Sequence, residues 1–448
     1  MNVFRELRRR QQFGRVIRVA VVGQGPMGRG VAAQIHGTPG MHPAVLVNRS
    51  AERAVRTWVE LGYSASEVVV SEHQGTLEEA LERGIPAVTR DSMVACDLRG
   101  IEVVVEATGT VGPAARTVLG AIHAGKHILV MNPEVDATLG CYLSERARQQ
   151  GVVYSHGDGG RPGVLMRLCE WVEGMGFEVR AAFSCTGELE EEATPESSLE
   201  CARRMGTSPR MVCAVRDGTK LNLEKAVLAN ATGLVPEQRG MRGWRTSMKK
   251  VLRDFSKLAG LQGVVDYTVG GDFGGGVFVI ARCEDWARVG GYLDASLMGP
   301  GPDYVFFRPY HLGGTETPVS IAEAVLFREP TVAPRGVPVA DVVAVAKRDL
   351  AAGTRLDGVG GTMVYGRVDA VERSRDFLPV GLSDGGCLQA AVRKGEPIPW
   401  SVVEAREAEW VCNLRRIQER WSNARGRKDR EANCGEGEAA LVCAERTP

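Results

Sequence analysis

Along the first third of the chain, short continuous apolar runs alternate with stretches in which apolar residues recur at helical spacing. Ile17-Arg-Val-Ala-Val-Val22 reads as a strand buried on both faces, because a parallel strand covered by helices loses the polar alternation of a half-exposed one. The same logic predicts strands at 44–47, 101–106, 128–131 and 152–154, with helices at 29–35, 51–62, 76–83 and 111–124 between them. Strand, helix and strand in succession are the signature of a doubly wound parallel sheet, so the fold class is α/β and the first unit spans 15–157. Residues 1–14 read as a short charged surface helix.

Beyond 158 the pattern changes. A helix at 164–174, a strand at 176–182, a helix start at Thr194-Pro195-Glu196, a helix-like span over 242–257 with Trp244 and Phe255 inward, and a strand at 277–282 describe an α+β unit over 158–304. Residues 305–330, with a helix at 319–326, are expected to pack back on the first unit. Pro330, Pro334 and Pro338 mark a linker, and the short strand-like runs after it describe a small β-rich module over 335–405. The polar, aperiodic tail at 424–448 is expected to be disordered.

The strand at 17–22 feeds directly into Gly23, Gly25 and Gly28, a G-x-G-x-x-G with a strand before it and a helix after it. Gly23 allows the tight turn, Gly25 lets backbone approach a diphosphate and Gly28 lets helix pack on strand, so Gly23, Gly25, Pro26, Met27 and Gly28 are assigned to a dinucleotide. The carboxylate that would grip the ribose of NAD about 20 residues on is replaced by Asn48-Arg49-Ser50. A guanidinium and a hydroxyl suit a 2′-phosphate, so NADP(H) is expected over NAD(H). Thr108 and Gly109 after one strand, and Asn132 after the next, lie where such a sheet meets its ligand.

Composition narrows the picture further. The 448 residues are 44% apolar and 25% charged, with 55 basic against 55 acidic side chains, so no field favours nucleic acid or an anionic membrane. No run of 18 apolar residues and no signal-like start are present, and the expected location is cytoplasmic. Eleven cysteines without a Cys-x-x-Cys pair read as reduced thiols. Gly120 to Lys126 approaches a phosphate loop but has His127 where Ser or Thr belongs, and it ends a helix where it should begin one.

Asn132-Pro-Glu-Val-Asp, Asp217-Gly-Thr-Lys, Asn230-Ala-Thr-Gly-Leu-Val-Pro, Val265-Asp-Tyr, Gly301-Pro and Arg308-Pro-Tyr-His-Leu together resemble the homoserine dehydrogenase-like oxidoreductases that end in a SAF domain, the group with the deoxyxylulose-phosphate reductoisomerase-like enzymes. The resemblance implies an NADP-binding Rossmann domain, a middle domain that binds substrate and a SAF-like module at 335–405. It implies reductases or reductoisomerases of small, often phosphorylated carbonyl compounds. Two positions depart from it: Gly160 stands where relatives carry an acid in a Gly-Asp-x-Pro-Gly loop, and Cys185-Thr186-Gly187 replaces a Lys-Gly segment.

Hydride delivery to a carbonyl needs a proton donor and a cationic partner for the developing alkoxide. Lys220, Lys126, His156, Asp158 and His311 are the candidates for proton transfer, and Glu134, Arg161, Glu224 and Arg308 for holding substrate. Glu134, Asp136 and Glu224 would suit a divalent cation, though carboxylates so scattered give a metal no support. The expected function is an NADPH-dependent oxidoreductase of a small polar, phosphorylated carbonyl or polyol, working as a homo-oligomer without nucleic-acid or membrane partners. A nucleotide-binding scaffold or sensor, and a lyase or epimerase that keeps its nicotinamide bound, remain the alternatives.

Overall fold

The computed structural model describes residues 2–256, 263–404 and 409–425. Seven strands, β1 (Ile17–Val22), β2 (Met41–Val47), β3 (Val69–Val70), β4 (Ala87–Thr89), β5 (Val103–Glu106), β6 (His127–Val130) and β7 (Tyr154–His156), form one sheet in the order β3-β4-β2-β1-β5-β6-β7. Every neighbouring pair is parallel. Helices cover both faces, so the inner strands are apolar throughout and Val19, Val21, Val103 and Val105 are fully buried. The fold is therefore the doubly wound α/β sheet that the alternation of runs predicts.

Several boundaries differ from the sequence reading, each for a local reason. Helix Pro26–Gly37 begins three residues early because Pro26 occupies its first turn, where a missing N–H costs nothing. The Asn132 side chain caps a helix from Pro133 to Gln150, so Glu134 and Asp136 sit in a first turn and outside any loop. Helix Arg161–Gly174 starts within the glycine-rich stretch, again on a proline. The helix signal at Thr194 is overridden: residues 195–198 form turns and the helix runs Leu199–Met205. Of the span 242–257, the described residues are α-helical only at Val251–Ser256, while Trp244 bridges to Thr268; both Trp244 and Phe255 are core residues. The N-terminal helix Val3–Gln12 is more than a surface element, since Leu7 is fully buried and its carbonyl lies against Gly40, where any Cβ would come within 2.3 Å.

A second sheet places β8 (Phe177–Thr186), β9 (Val264–Val269), β10 (Val277–Cys283) and β11 (Asp303–Arg308) in the order β11-β10-β8-β9. Its Phe183, Phe278 and Ile280 face Trp244 and Phe255, and its other face packs on helices Arg161–Gly174 and Thr219–Thr232. Helix Thr317–Leu326 returns to the first sheet, where Ile321 and Ala324 join Leu7, Val21 and Val31 in one core.

The β-rich module pairs β12 (Ala340–Ala346) with β13 (Val364–Ala370), and the short β14 (Cys387–Leu388) with β15 (Val403–Glu404). It is docked on helix Thr219–Thr232. Thr219 Oγ1 accepts from Gly366 N at 2.8 Å, Asn222 Oδ1 from Val368 N at 2.8 Å, and Asn230 Oδ1 from Val339 N at 2.9 Å. A buried Lys347–Asp217 pair at 2.8 Å adds a charged fastening. A further helix over 409–425 buries Arg415 against Asp341 and the Thr138 carbonyl. Residues 426–448 of the expected disordered tail lie outside the described residues.

Candidate active site

The glycine-rich loop has the shape a diphosphate needs. Gly23 sits at φ +96°, and a Cβ there would meet the Ala107 carbonyl at 2.7 Å. A Cβ on Gly28 would stand 1.7 Å from the Gly23 carbonyl, so helix and strand touch only because Gly28 has no side chain. A Cβ on Gly25 would meet nothing within 4 Å, and Gly25 caps helix Pro26–Gly37 without a side-chain hydrogen bond, leaving N–H groups open to an anion. Gln24 Oε1 is buried without a partner while its Nε2 donates to Val21 O. These residues fit a nicotinamide dinucleotide.

At the end of β2, Asn48 braces the loop: its Oδ1 accepts from Gln24 N at 3.2 Å and its Nδ2 donates to Ser50 O. Arg49 is exposed. The Ser50 hydroxyl donates to Glu52 at 2.6 Å, and that bond, with Arg90 acting in the same direction, holds the Glu52 carboxyl below its ordinary range. β4 runs beside β2 with Val47 opposite Thr89, so Arg49 and Arg90 leave the same edge of the sheet. A groove of about 480 Å³ lies along helix Ala51–Glu60, with Val55, Val59 and Val70 as its floor and Arg56 and Arg90 beside it. A larger cavity, about 610 Å³, borders the Thr110 turn and is lined also by Arg210 and by Arg355 and Asp384 of the β-rich module.

On the other side of the loop, the turn Ala107–Thr110 follows β5. Thr108 N and Oγ1 both donate to Glu106 Oε1, the former at 2.8 Å, and Gly109 takes φ +77°. Asn132 Nδ2 donates to Thr110 O at 3.2 Å while its Oδ1 caps Val135 N, tying the turn to the next helix.

That helix carries Glu134, and Lys220 Nζ stands 3.2 Å from Glu134 Oε1. Lys220 and Glu224 lie one turn apart on helix Thr219–Thr232, hence on one face. Arg161 Nη1 donates to Glu224 Oε2 at 3.1 Å, and Arg161 Nε is buried without a partner. Burial alone would raise the Glu224 carboxyl, but Arg161 and then Lys220 outweigh it and hold the group below its ordinary value. His311 completes the group. Its Nδ1 lies 2.9 Å from the Gly275 carbonyl, so Nδ1 carries the hydrogen and Nε2 is left as an acceptor. Burial, then the nearby Arg161, lower its pKa. The His311 loop also lies near the glycine loop, since a Cβ on Gly313 or Gly314 would come 3.4 or 3.5 Å from the Met27 side chain. Arg308 pairs with Glu316 and stacks on Tyr310, 4.7 Å from the ring centroid.

Of the other three proposed proton carriers, one lies at the far edge of the sheet and two are held in hydrogen bonds of their own. Lys126 precedes β6 at the amino end of the strand, the opposite edge of the sheet from the glycine loop, and donates to Leu98 O at 3.0 Å. Asp158 is buried and fully engaged: Oδ2 takes Arg167 Nε at 3.0 Å and Oδ1 takes Gly159 N at 2.7 Å. His156 is buried with Nδ1 3.1 Å from Asp136 Oδ2, and Tyr154 donates to the other oxygen at 2.9 Å. Its Nε2 approaches the position of Gly160, where a Cβ would lie 3.8 Å away. Among the described residues no cluster of three or more His, Cys, Asp or Glu could hold a metal ion, and no helix is long and apolar enough to cross a membrane.

Sequence reasoning missed two buried ionisable residues. Lys225 follows Glu224 and donates to Ala182 O at 3.0 Å; burial brings its pKa down to about 7 against the opposing pull of Asp266. Glu106 ends β5 with no exposed surface. Its signal was in plain view, a single acid closing the apolar run Val103-Val-Val-Glu106.

No curated protein matches this chain. Among solved structures it is similar to myo-inositol dehydrogenase from Lactobacillus casei in complex with NAD(H) and myo-inositol, at 14% identity and a TM-score of 0.39, covering 72% of this chain and 89% of that one. It is similar to DOX-P reductoisomerase with fosmidomycin and magnesium at 14% identity and a TM-score of 0.39, covering 72% of each chain. It is also similar to GenD2 from gentamicin A biosynthesis in complex with NAD, at 16% identity and a TM-score of 0.39, covering 70% and 88%. Residues 157–317 match the family described as "Oxidoreductase DRL, catalytic domain". The segment that carries Arg161, Lys220, Glu224 and His311 is thus similar to an oxidoreductase catalytic domain.

Proposed function

We propose that this protein is an NADPH-dependent oxidoreductase of a small polar, phosphorylated carbonyl or polyol compound. The observation that carries the reading is the pairing of Lys220 with Glu134 and of Arg161 with Glu224, the two helix residues Lys220 and Glu224 lying one turn apart. When bound, the nicotinamide supplies or accepts the hydride. Lys220 holds a proton within reach of Glu134 and provides positive charge for an oxygen that becomes an alkoxide. Arg161, with its buried and unpartnered Nε, offers a donor to an anionic group of the substrate. His311 presents the bare Nε2 as a hydrogen-bond acceptor for a substrate hydroxyl. Arg49, with Arg90 leaving the same sheet edge, supports a 2′-phosphate over a free hydroxyl.

Calorimetric titration with NADPH and NADH tests the cofactor half. NADPH is expected to bind more tightly, and Arg49→Asp to remove the preference, by about tenfold or more. Binding of neither cofactor overturns the reading and leaves a scaffold. Absorbance screening of sugar phosphates and hydroxy acids tests the substrate half, with turnover of only unphosphorylated compounds as the result against it.

A further inference from the structure

Glu106 has a role that neither the glycine loop nor the Lys220 cluster accounts for. It sits at the end of the central strand β5, opposite Val22 on β1 and Val130 on β6, with no exposed surface. One carboxyl oxygen does two jobs: Oε1 accepts from both Thr108 N and Thr108 Oγ1. The other, Oε2, is buried with no partner. A buried carboxylate with one unsatisfied oxygen is costly, whereas the neutral acid has a natural place for its hydrogen on the oxygen that accepts nothing. The surroundings favour that form. Burial, with a smaller push from Glu134 on the adjoining helix, raises the Glu106 pKa to about 7 against the Thr108 donors and the Asn132 side chain. Tyr154 on β7 feels the Glu106 charge as well.

The geometry connects this acid to the cofactor loop. The turn that Glu106 grips is the one whose Ala107 carbonyl lies against Gly23, and Asn132 fastens its far end at Thr110. An anionic diphosphate held at Gly23 to Gly28 would therefore meet a negative charge if Glu106 were ionised, and none if it were neutral. We infer that Glu106 is the positioning residue of the cofactor-side turn, that it acts as the neutral acid, and that cofactor binding takes up a proton at this carboxyl. The inference rests on the nucleotide reading proposed above.

The test is calorimetry of NADPH binding in buffers of different ionisation enthalpy, which counts the protons exchanged without reference to turnover. Wild type is expected to take up a proton above about pH 7 and to lose roughly tenfold in affinity between about pH 6 and pH 8.5. Glu106→Gln keeps the acceptor for Thr108 and cannot ionise, so it is expected to bind with nearly constant affinity over the same range. The 2′-phosphate titrates equally in both proteins and cancels in the difference. Equal proton uptake in the two overturns the inference, as does pH-independent binding by wild type, and both leave the nucleotide reading intact. Failure of wild type to bind at any pH overturns both. Thr108→Val serves if Glu106→Gln does not fold: removing the hydroxyl that favours the carboxylate is expected to move the onset of affinity loss to higher pH, and an unmoved onset overturns the inference.

Discussion

Lys220 Nζ stands 3.2 Å from Glu134 Oε1, so the helix that joins β6 to β7 and the helix that backs the second sheet, already packed on each other, are also joined by an ion pair. Both groups are largely withdrawn from water, which makes the pair a determinant of structure as well as a candidate for chemistry. Lys220→Met is expected to lower kcat by about 10²–10⁴. It also strands the buried Glu134, so the melting temperature falls with it. Adding Glu134→Gln separates the two effects: the double variant is expected to recover stability and stay inactive. A double variant that turns over normally would remove Lys220 from the chemistry.

Asp158 and Arg167 lead to the opposite expectation. Arg167 bridges Asp158 and Glu323, and Asp158 N donates to Ser320 Oγ at 2.8 Å, so this acid fastens helix Thr317–Leu326 to the loop before helix Arg161–Gly174. Arg167→Met leaves two carboxylates uncompensated and is expected to cost about 2–4 kcal/mol in urea unfolding. Turnover per folded molecule should stay within about twofold. A selective hundredfold loss of kcat in Asp158→Asn, with stability unchanged, would restore Asp158 as a proton carrier.

The glycine loop separates fold from binding in two neighbouring substitutions. Gly28→Ala places a Cβ 1.7 Å from a backbone carbonyl that cannot move without breaking the strand–helix contact, so loss of several kcal/mol or failure to fold is expected. Gly25→Ala meets nothing within 4 Å and has an ordinary φ of −77°, so stability should change by less than about 1 kcal/mol. Its methyl points where a diphosphate would lie, and NADPH affinity is expected to fall by about tenfold or more in titration. Unchanged affinity in Gly25→Ala would move the cofactor away from this loop.

What was legible in the sequence follows from how local each signal is. The parallel sheet and its glycine loop were readable because strand hydrophobicity, helix period and turn chemistry agree over Ile17 to Ile35. Helix Pro133–Gln150 escaped because a carboxylate-rich first turn after Asn-Pro looks like a loop unless the Asn is recognised as its cap. The 409–425 helix escaped because the residues it buries include Arg415 and Gln418, which satisfy Asp341 and the Thr138 carbonyl rather than fill an apolar stripe. The site was half legible. Lys220, Glu224, Arg161 and His311 were all singled out, yet only tertiary structure brings them together, and Lys126 could be set aside only once β6 had a direction. Lys225 gave no motif, since what makes it unusual is burial, and burial of a lone charge is not written in spacing; Glu106 differs, because it closes an apolar run that the sequence shows.

Lys225 supplies a prediction in which the sign can be worked out. Burial brings its folded-state pKa down to about 7, below the ordinary lysine value of 10.5. A base with a depressed folded-state pKa binds fewer protons folded than unfolded between those values, so this residue makes stability rise as pH climbs from about 7 toward 10.5. Below pH 7 both states are protonated and the folded state bears the desolvation cost in full. Lys225→Met removes the titrating group and forfeits one hydrogen bond to Ala182 O. The variant is expected to be more stable than wild type by roughly 2–4 kcal/mol near pH 6, with the difference shrinking as pH rises toward 10. Urea unfolding at several pH values measures it. Parallel stability profiles for the two proteins would mean that the Lys225 ammonium reaches water, and the buried amine between Ala182 and Asp266 would then be wrong.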